Sequence, residues 1–170
     1  MPKTKFQGAV FGLLMSYIMA FGMEVYNTAI NMGFLTSSGS FSSMTNMVFW
    51  NAFKKTLYMG AIVFVLSGLF GNKIGEKFAN KYCDPQKDNP YFCRIMRQAG
   101  TVAIMCPTMS LVASVLFSII LGGAGWLELP AIWVGTMIKN FPIAFFWNMF
   151  AAPGLTRLIF GLIFRKNRKR

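Results

Sequence analysis

Four long apolar stretches divide the chain and constrain its fold more than any other feature. They cover residues 6–33, 46–71, 98–122 and 131–156. Each approaches or exceeds the roughly 20 residues that an α-helix needs to cross about 30 Å of hydrocarbon. Hydrophobic residues make up 55% of the chain and charged residues 13%, against about 45–50% and about 25% in soluble domains. The sequence therefore predicts an all-α integral membrane protein with four transmembrane helices.

The basic residues are confined to alternate connections between these stretches. The first and third connections, residues 34–45 and 122–130, contain no Lys or Arg, whereas the central connection and the C-terminal tail are rich in both. Lys and Arg accumulate on the cytoplasmic side of membrane proteins. Both termini and the central connection are therefore predicted to be cytoplasmic, and their charge predicts contact with anionic lipids at that face.

The two halves of the chain, 1–83 and 84–170, look like copies of one hairpin. In each half a lysine precedes a second basic residue by 18 positions, which an α-helix covers in about 27 Å. These pairs are Lys55 with Lys73 and Lys139 with Arg157, and Trp50 and Trp133 lie just outside the two lysines. Because each half has two spans, the copies share one orientation. We predict two parallel-oriented hairpin repeats, N-in and C-in, and a short interfacial C-terminal helix after Arg157.

Short motifs at the helix ends carry a family resemblance. They are the run Asn27-x-x-x-Asn31-Met32-Gly33, the pair Phe49-Trp50, and Pro153 with Arg157. With these motifs the chain resembles small bacterial membrane proteins of domain-of-unknown-function family 2798, as a tandem pair of two-helix hairpins. The resemblance implies the hairpin architecture and a multi-pass protein of the bacterial cytoplasmic (inner) membrane. It implies no activity.

The composition leaves little material for catalysis or metal binding. Histidine is absent, which removes histidine haem ligands, histidine metal sites and histidine general bases. Of the five acids, Glu24 alone falls inside a predicted span. Cys83 and Cys93 fit no zinc motif and are expected to be reduced in the cytoplasm. We expect no enzyme activity, no metal, no cofactor and no nucleic-acid partner.

The candidate substrate-binding residues are polar side chains within the spans, because ionisable groups in a membrane mark functional sites. Glu24, Asn27, Thr28 and Asn31 form one stripe at helical spacing, and Pro107 and Asn148 could line a small cavity. The full candidate set is Glu24, Asn27, Asn31, Lys55, Lys139 and Asn148. The alternative interpretation is an interfacial anchor, since long charged side chains near the outer edge reach water at little cost.

Two functions remain open on the sequence alone. The first is a small transporter or channel for a small anion or carboxylate, which works as a homo-oligomer. The excess of lysine over acid inside the spans favours an anion as the solute. The small aqueous volume that four helices enclose favours a homo-oligomer. The second is a non-transporting subunit or regulator that binds a larger membrane complex. In that case the basic central connection and tail would be the contact surfaces.

Overall fold

The computed structural model describes residues 4–33, 44–84 and 88–164, and within these ranges the chain is helical with no strand. The helices are α1 (Lys5–Asn31), α2 (Asn46–Leu66), α3 (Asn72–Tyr82), α4 (Pro90–Ala113), α5 (Leu129–Phe146) and α6 (Ala152–Phe164). Three π-helical turns continue α2, α4 and α5: Ser67–Gly71, Ser114–Ile120 and Trp147–Ala151. A 3₁₀ turn, Trp126–Glu128, leads into α5.

Four helical segments have the length and apolar composition of membrane spans, which confirms the all-helical architecture. They are Lys5–Asn31, Asn46–Tyr82, Pro90–Ile120 and Trp126–Phe164. The second and fourth segments contain 37 and 39 residues, so at about 1.5 Å per residue they are roughly 55–60 Å long. A hydrocarbon layer of about 30 Å therefore covers only part of each. The duplication of the hairpin and its orientation remain predictions.

The end of the fourth segment differs from the predicted one. Arg157 lies inside α6, which runs without a break from Ala152 to Phe164, so no separate helix begins after Arg157. The prediction used a basic residue as the boundary, yet the residues after it are mostly apolar and no proline follows them. A single charge at a helix surface does not end a helix.

The chain forms two compact units. The first comprises Met1–Val65 and Phe150–Arg170, and the second comprises Leu66–Met149. Both boundaries fall in or beside a π-helical turn. The prediction that the chain consists of two hairpin repeats, 1–83 and 84–170, is a statement about sequence duplication. The two compact units do not test it.

In the first unit α1 packs antiparallel to α6. The rings of Phe11 and Phe160 meet edge to face with centroids 5.5 Å apart. One turn further, the Thr156 hydroxyl oxygen contacts the sulfur of Met15 at 3.3 Å. From the first contact to the second, the residue number increases by four on α1 and decreases by four on α6. This is the register of two antiparallel helices. The start of α1 and the end of α6 therefore lie at the same end of this unit.

A tyrosine on α1 connects it to α2. The Tyr17 hydroxyl donates to the carbonyl oxygen of Leu57 at 3.2 Å, and its ring lies on Gly60. A β-carbon at position 60 would come within 2.8 Å of that ring. The contact is therefore possible only because residue 60 has no side chain, and small residues are usual where membrane helices approach closely.

In the second unit α3 and α4 form a tightly packed hairpin. Phe78 on α3 fills the space over Gly100, where a β-carbon would come within 2.6 Å of it. A β-carbon at Gly75 would overlap the hydroxyl of Thr101 and approach the Arg97 carbonyl oxygen to 2.9 Å. Further along α4, the Trp133 indole N–H of α5 donates to the Pro107 carbonyl at 2.9 Å.

The close contact at Gly75 predicts a stability difference between two glycine substitutions. Gly75→Ala places a methyl group against backbone and should cost about 1–3 kcal/mol, which exceeds the roughly 1 kcal/mol that alanine gains over glycine in a helix. Gly135→Ala in α5 is the matched control, because no atom lies within 4 Å of its β-position. Thermal unfolding in detergent should show a lower Tm for Gly75→Ala and an unchanged or higher Tm for Gly135→Ala. Equal shifts would contradict the packing described.

Candidate functional site

Glu24 is a buried acid in the middle of an apolar helix. Its side chain is 6% exposed, and moving an ionised carboxylate out of water costs several kcal/mol unless a partner compensates. Lys55 on α2 is half-buried and acts on the Glu24 carboxylate by Coulombic attraction. Glu24 and Lys55 belong to the same unit. Two of the candidate residues are therefore brought together by the packing of α1 and α2.

Two polar side chains lie close to this pair along the same helices. Tyr58 follows Lys55 by three residues, and the charge of Glu24 acts on its hydroxyl group. Thr28 follows Glu24 by one turn and is 4% exposed. We call Glu24, Thr28, Lys55 and Tyr58 the Glu24 cluster. It combines one negative charge, one positive charge and two hydroxyl groups.

The hydroxyl of Thr28 differs from the other helical threonines. Most threonines in these helices donate to the backbone carbonyl four residues earlier, namely Thr56, Thr101, Thr108 and Thr156. The buried Thr28 Oγ1 has no hydrogen-bond partner among the described residues. A buried hydroxyl without a partner costs about 1–3 kcal/mol, and in native structures such a group calls for a specific explanation.

Lys54 and Lys55 are neighbours in sequence with different surroundings. The side chain of Lys54 is exposed, and its ammonium lies 5.5 Å from the centre of the Trp50 ring. Such a contact is typical of a residue that anchors a helix near the membrane surface. Lys55 is half-buried and faces the acid. The two lysines are therefore a matched pair for experiments.

The remaining stripe residues on α1 lie outside the buried edge. Asn27 is half-buried, and Asn31 is the last residue of α1 and is exposed. A helix buries only part of its circumference, so the predicted stripe separates into a buried edge, Glu24 and Thr28, and a more accessible one.

The other two candidates, Lys139 and Asn148, belong to the second unit. Lys139 is half-buried and Asn148 is 5% exposed. Sequence reasoning missed Asn140, which is 4% exposed. The side-chain oxygens of Asn140 and Asn148 both lack a hydrogen-bond partner in the described chain. An asparagine beside a lysine carries no sequence signal of burial, so only the packing reveals it.

A cavity in the second unit is apolar. Its volume is about 320 Å³, and its walls are Pro107, Met137, Ile138, Phe141 and Pro142. This is an open apolar groove beside Pro107, and Asn148 is not part of its wall. With no polar group in its wall, it does not suit a charged solute.

No cluster of metal-binding side chains is assembled in the described residues. Within the ranges 4–33, 44–84 and 88–164, no three His, Cys, Asp or Glu side chains approach one another as metal ligands would. Cys106 is buried in α4 as a free thiol. The Glu24 cluster is thus the arrangement of charged and polar groups on which a functional argument can be built.

Known proteins offer no guide to this arrangement. No protein-family model, no curated protein and no solved structure matches the chain. The resemblance to family 2798 stays a prediction, and function has to be argued from the residues themselves.

Removal of the Lys55 charge, which acts on Glu24, should destabilise the protein more than removal of the exposed Lys54 charge. Lys55→Met leaves Glu24 buried without its positive partner, which should cost on the order of 2–4 kcal/mol. Lys54→Met removes an exposed charge and should cost less than about 1 kcal/mol. The double variant Glu24→Gln/Lys55→Met should recover part of the loss, because contacting residues are not additive. Thermal unfolding in detergent of five proteins tests this: the unmodified protein, the single variants Glu24→Gln, Lys55→Met and Lys54→Met, and the double variant. Additive effects of Glu24→Gln and Lys55→Met would show that the pair does not interact.

Proposed function

We propose that this protein is a small membrane transporter or channel for a small anion or carboxylate, and that it works as a homo-oligomer. The observation that carries the proposal is the buried Glu24 carboxylate, on which the half-buried Lys55 acts electrostatically, with the unpartnered Thr28 hydroxyl one turn away. An ion pair that serves only as an anchor needs no additional buried donor beside it. A solute anion that replaces Glu24 as the partner of the Lys55 ammonium does need such a donor.

Lys55 is the group that binds the anion in this mechanism. An incoming carboxylate competes with Glu24 for the Lys55 ammonium, since charge-assisted hydrogen bonds of this type are among the strongest that side chains make. Thr28 donates its free hydroxyl to the second oxygen of the solute. Glu24 then repels the bound anion, which limits affinity and allows release.

The charge of the whole chain favours anions over cations. Seventeen Lys and Arg against five Asp and Glu give a formal charge of +12. A positive potential raises the local concentration of anions and their rate of arrival. Because the cavity in the second unit is apolar, we assign the aqueous path to an assembly of two or more copies, most simply a homodimer.

The proposed orientation puts both termini in the cytoplasm of a bacterium, with the protein in the inner membrane. The antiparallel register of α1 and α6 supports this, because it brings the start of α1 and the end of α6 to one end of the first unit. The basic connection and tail then face the anionic lipids of the cytoplasmic leaflet. The hairpin duplication is part of the same proposal.

Flux through liposomes that contain the purified protein tests the proposal. Uptake of labelled formate, acetate, lactate and chloride should be protein-dependent for at least one of these anions. Lys55→Met and Glu24→Gln should each lower that uptake at least tenfold, and Thr28→Val should lower it less. Lys54→Met should retain uptake close to that of the unmodified protein.

Two outcomes would contradict this mechanism. One is equal uptake in Lys55→Met and Lys54→Met, which would remove Lys55 from the path. The other is no uptake of any anion together with a membrane protein that co-purifies in fixed stoichiometry. That result would favour the non-transporting subunit.

A further inference from the structure

The tip of the α3–α4 hairpin contains a pair of cysteines. Cys83 directly follows α3 and is 6% exposed, whereas Cys93 lies in the first turn of α4 and is half-buried. The structure joins them in a disulfide, with their α-carbons 5.5 Å apart. The sequence predicted two reduced thiols here, so the bond is a difference that has to be explained.

Backbone contacts hold each cysteine in place independently of the bond. The Cys83 N–H donates to the Ala79 carbonyl at 2.8 Å, and the Cys93 N–H donates to the Asn89 carbonyl at 3.2 Å. The Asn89 side chain also accepts from the N–H of Tyr91 and so caps α4. The two sulfur atoms are therefore brought together by helix ends.

Packing lower in the hairpin fixes the distance between these two helix ends. Phe78 packs against Gly100, and Thr101 packs against Gly75, with no space for a β-carbon at either glycine. On the exposed side Arg97 and Glu76 form an ion pair at 2.5 Å. An α-carbon separation of 5.5 Å lies in the usual range of about 4.4–6.8 Å for disulfides. Dithiol and disulfide forms can therefore share one backbone.

The charge around the pair predicts the compartment it faces. The central connection carries Lys73, Lys77, Lys81, Lys87, Arg94 and Arg97, and such a segment is cytoplasmic by the positive-inside rule. Cytoplasmic thiols are kept reduced, and disulfides that form there are mostly transient or redox-sensing. A structural disulfide is unexpected on that side, whereas a reversible one is not.

We propose that Cys83 and Cys93 are a reversible dithiol–disulfide site on the cytoplasmic face, whose oxidant is a low-molecular-weight disulfide such as oxidised glutathione. The Cys93 thiolate, the more accessible of the two, attacks one sulfur of the oxidant and releases one thiol. The Cys83 thiolate then attacks Cys93 and releases the second thiol. Two protein thiols lose two electrons and two protons, and the oxidant gains both to become two thiols.

Oxidation connects the end of α3 covalently to the first turn of α4. The exposed stripe Lys73, Lys77 and Lys81, spaced by four residues, runs along one face of α3, and Lys81 is its member nearest the disulfide. The reduced hairpin retains its glycine contacts, but its tip is held by hydrogen bonds alone. The site therefore adds a redox-dependent constraint to the basic end of the hairpin, separate from the Glu24 cluster.

The experiment reads the redox state in the full-length protein. Cells are quenched in acid, free thiols are blocked with N-ethylmaleimide in SDS, and disulfides are then reduced and labelled with a maleimide-coupled polyethylene glycol. Untreated cells should give unshifted protein. Membranes incubated with oxidised glutathione before quenching should give a band shifted by two labels, and dithiothreitol should reverse it.

Single variants assign the shift to this pair. The two-label band should disappear in Cys83→Ser and in Cys93→Ser, whereas Cys106→Ser should leave it unchanged because Cys106 is a buried free thiol. A two-label band in untreated cells would overturn the proposal, since it would mean a permanent disulfide on an oxidising side. No shift after oxidation, or a two-label band that persists in Cys83→Ser, would also overturn it.

Discussion

The hydrocarbon of a membrane offers no hydrogen-bond partner, and the rest of this structure depends on that constraint. Every backbone N–H and C=O in a span has to be satisfied by the helix itself, which is why the described residues are helices and short turns. Hydroxyl side chains follow the same rule. The hydroxyls of Thr56 and Thr156 return to their own helix backbone, and the departure of Thr28 from this pattern is therefore informative.

The same constraint decides how the helices pack. Lipid tails are as apolar as leucine, so burial of apolar side chains gives little drive for helix association, and close van der Waals contact takes its place. Gly60 receives Tyr17, and Gly100 receives Phe78. At both positions an aromatic ring occupies the volume that a side chain would need. Contacts of this kind position α1 against α2 and α3 against α4.

The sequence predicts the helices well, but it predicts poorly which residues of a helix face its neighbours. Span number follows from hydropathy, because length and apolar character are local properties. Which side of a helix is buried depends on its neighbours. Lys54 and Lys55 therefore look alike in sequence but differ in exposure, and the burial of Asn140 was missed. The predicted break between the fourth span and a separate helix after Arg157 is wrong, because Arg157 lies on a helix that continues from Ala152 to Phe164.

The hydrogen bond from Trp133 to Pro107 changes which tryptophan is the better marker for the start of the fourth apolar segment. A tryptophan that marks the membrane surface directs its indole N–H to headgroups or water, but this one is used inside the protein. Trp126, which is 67% exposed, is the better surface marker for this hairpin. Lys139 follows it by 13 residues, or about 15–20 Å along a helix. Lys139 therefore lies inside the fourth apolar segment, Trp126–Phe164, and not at its start.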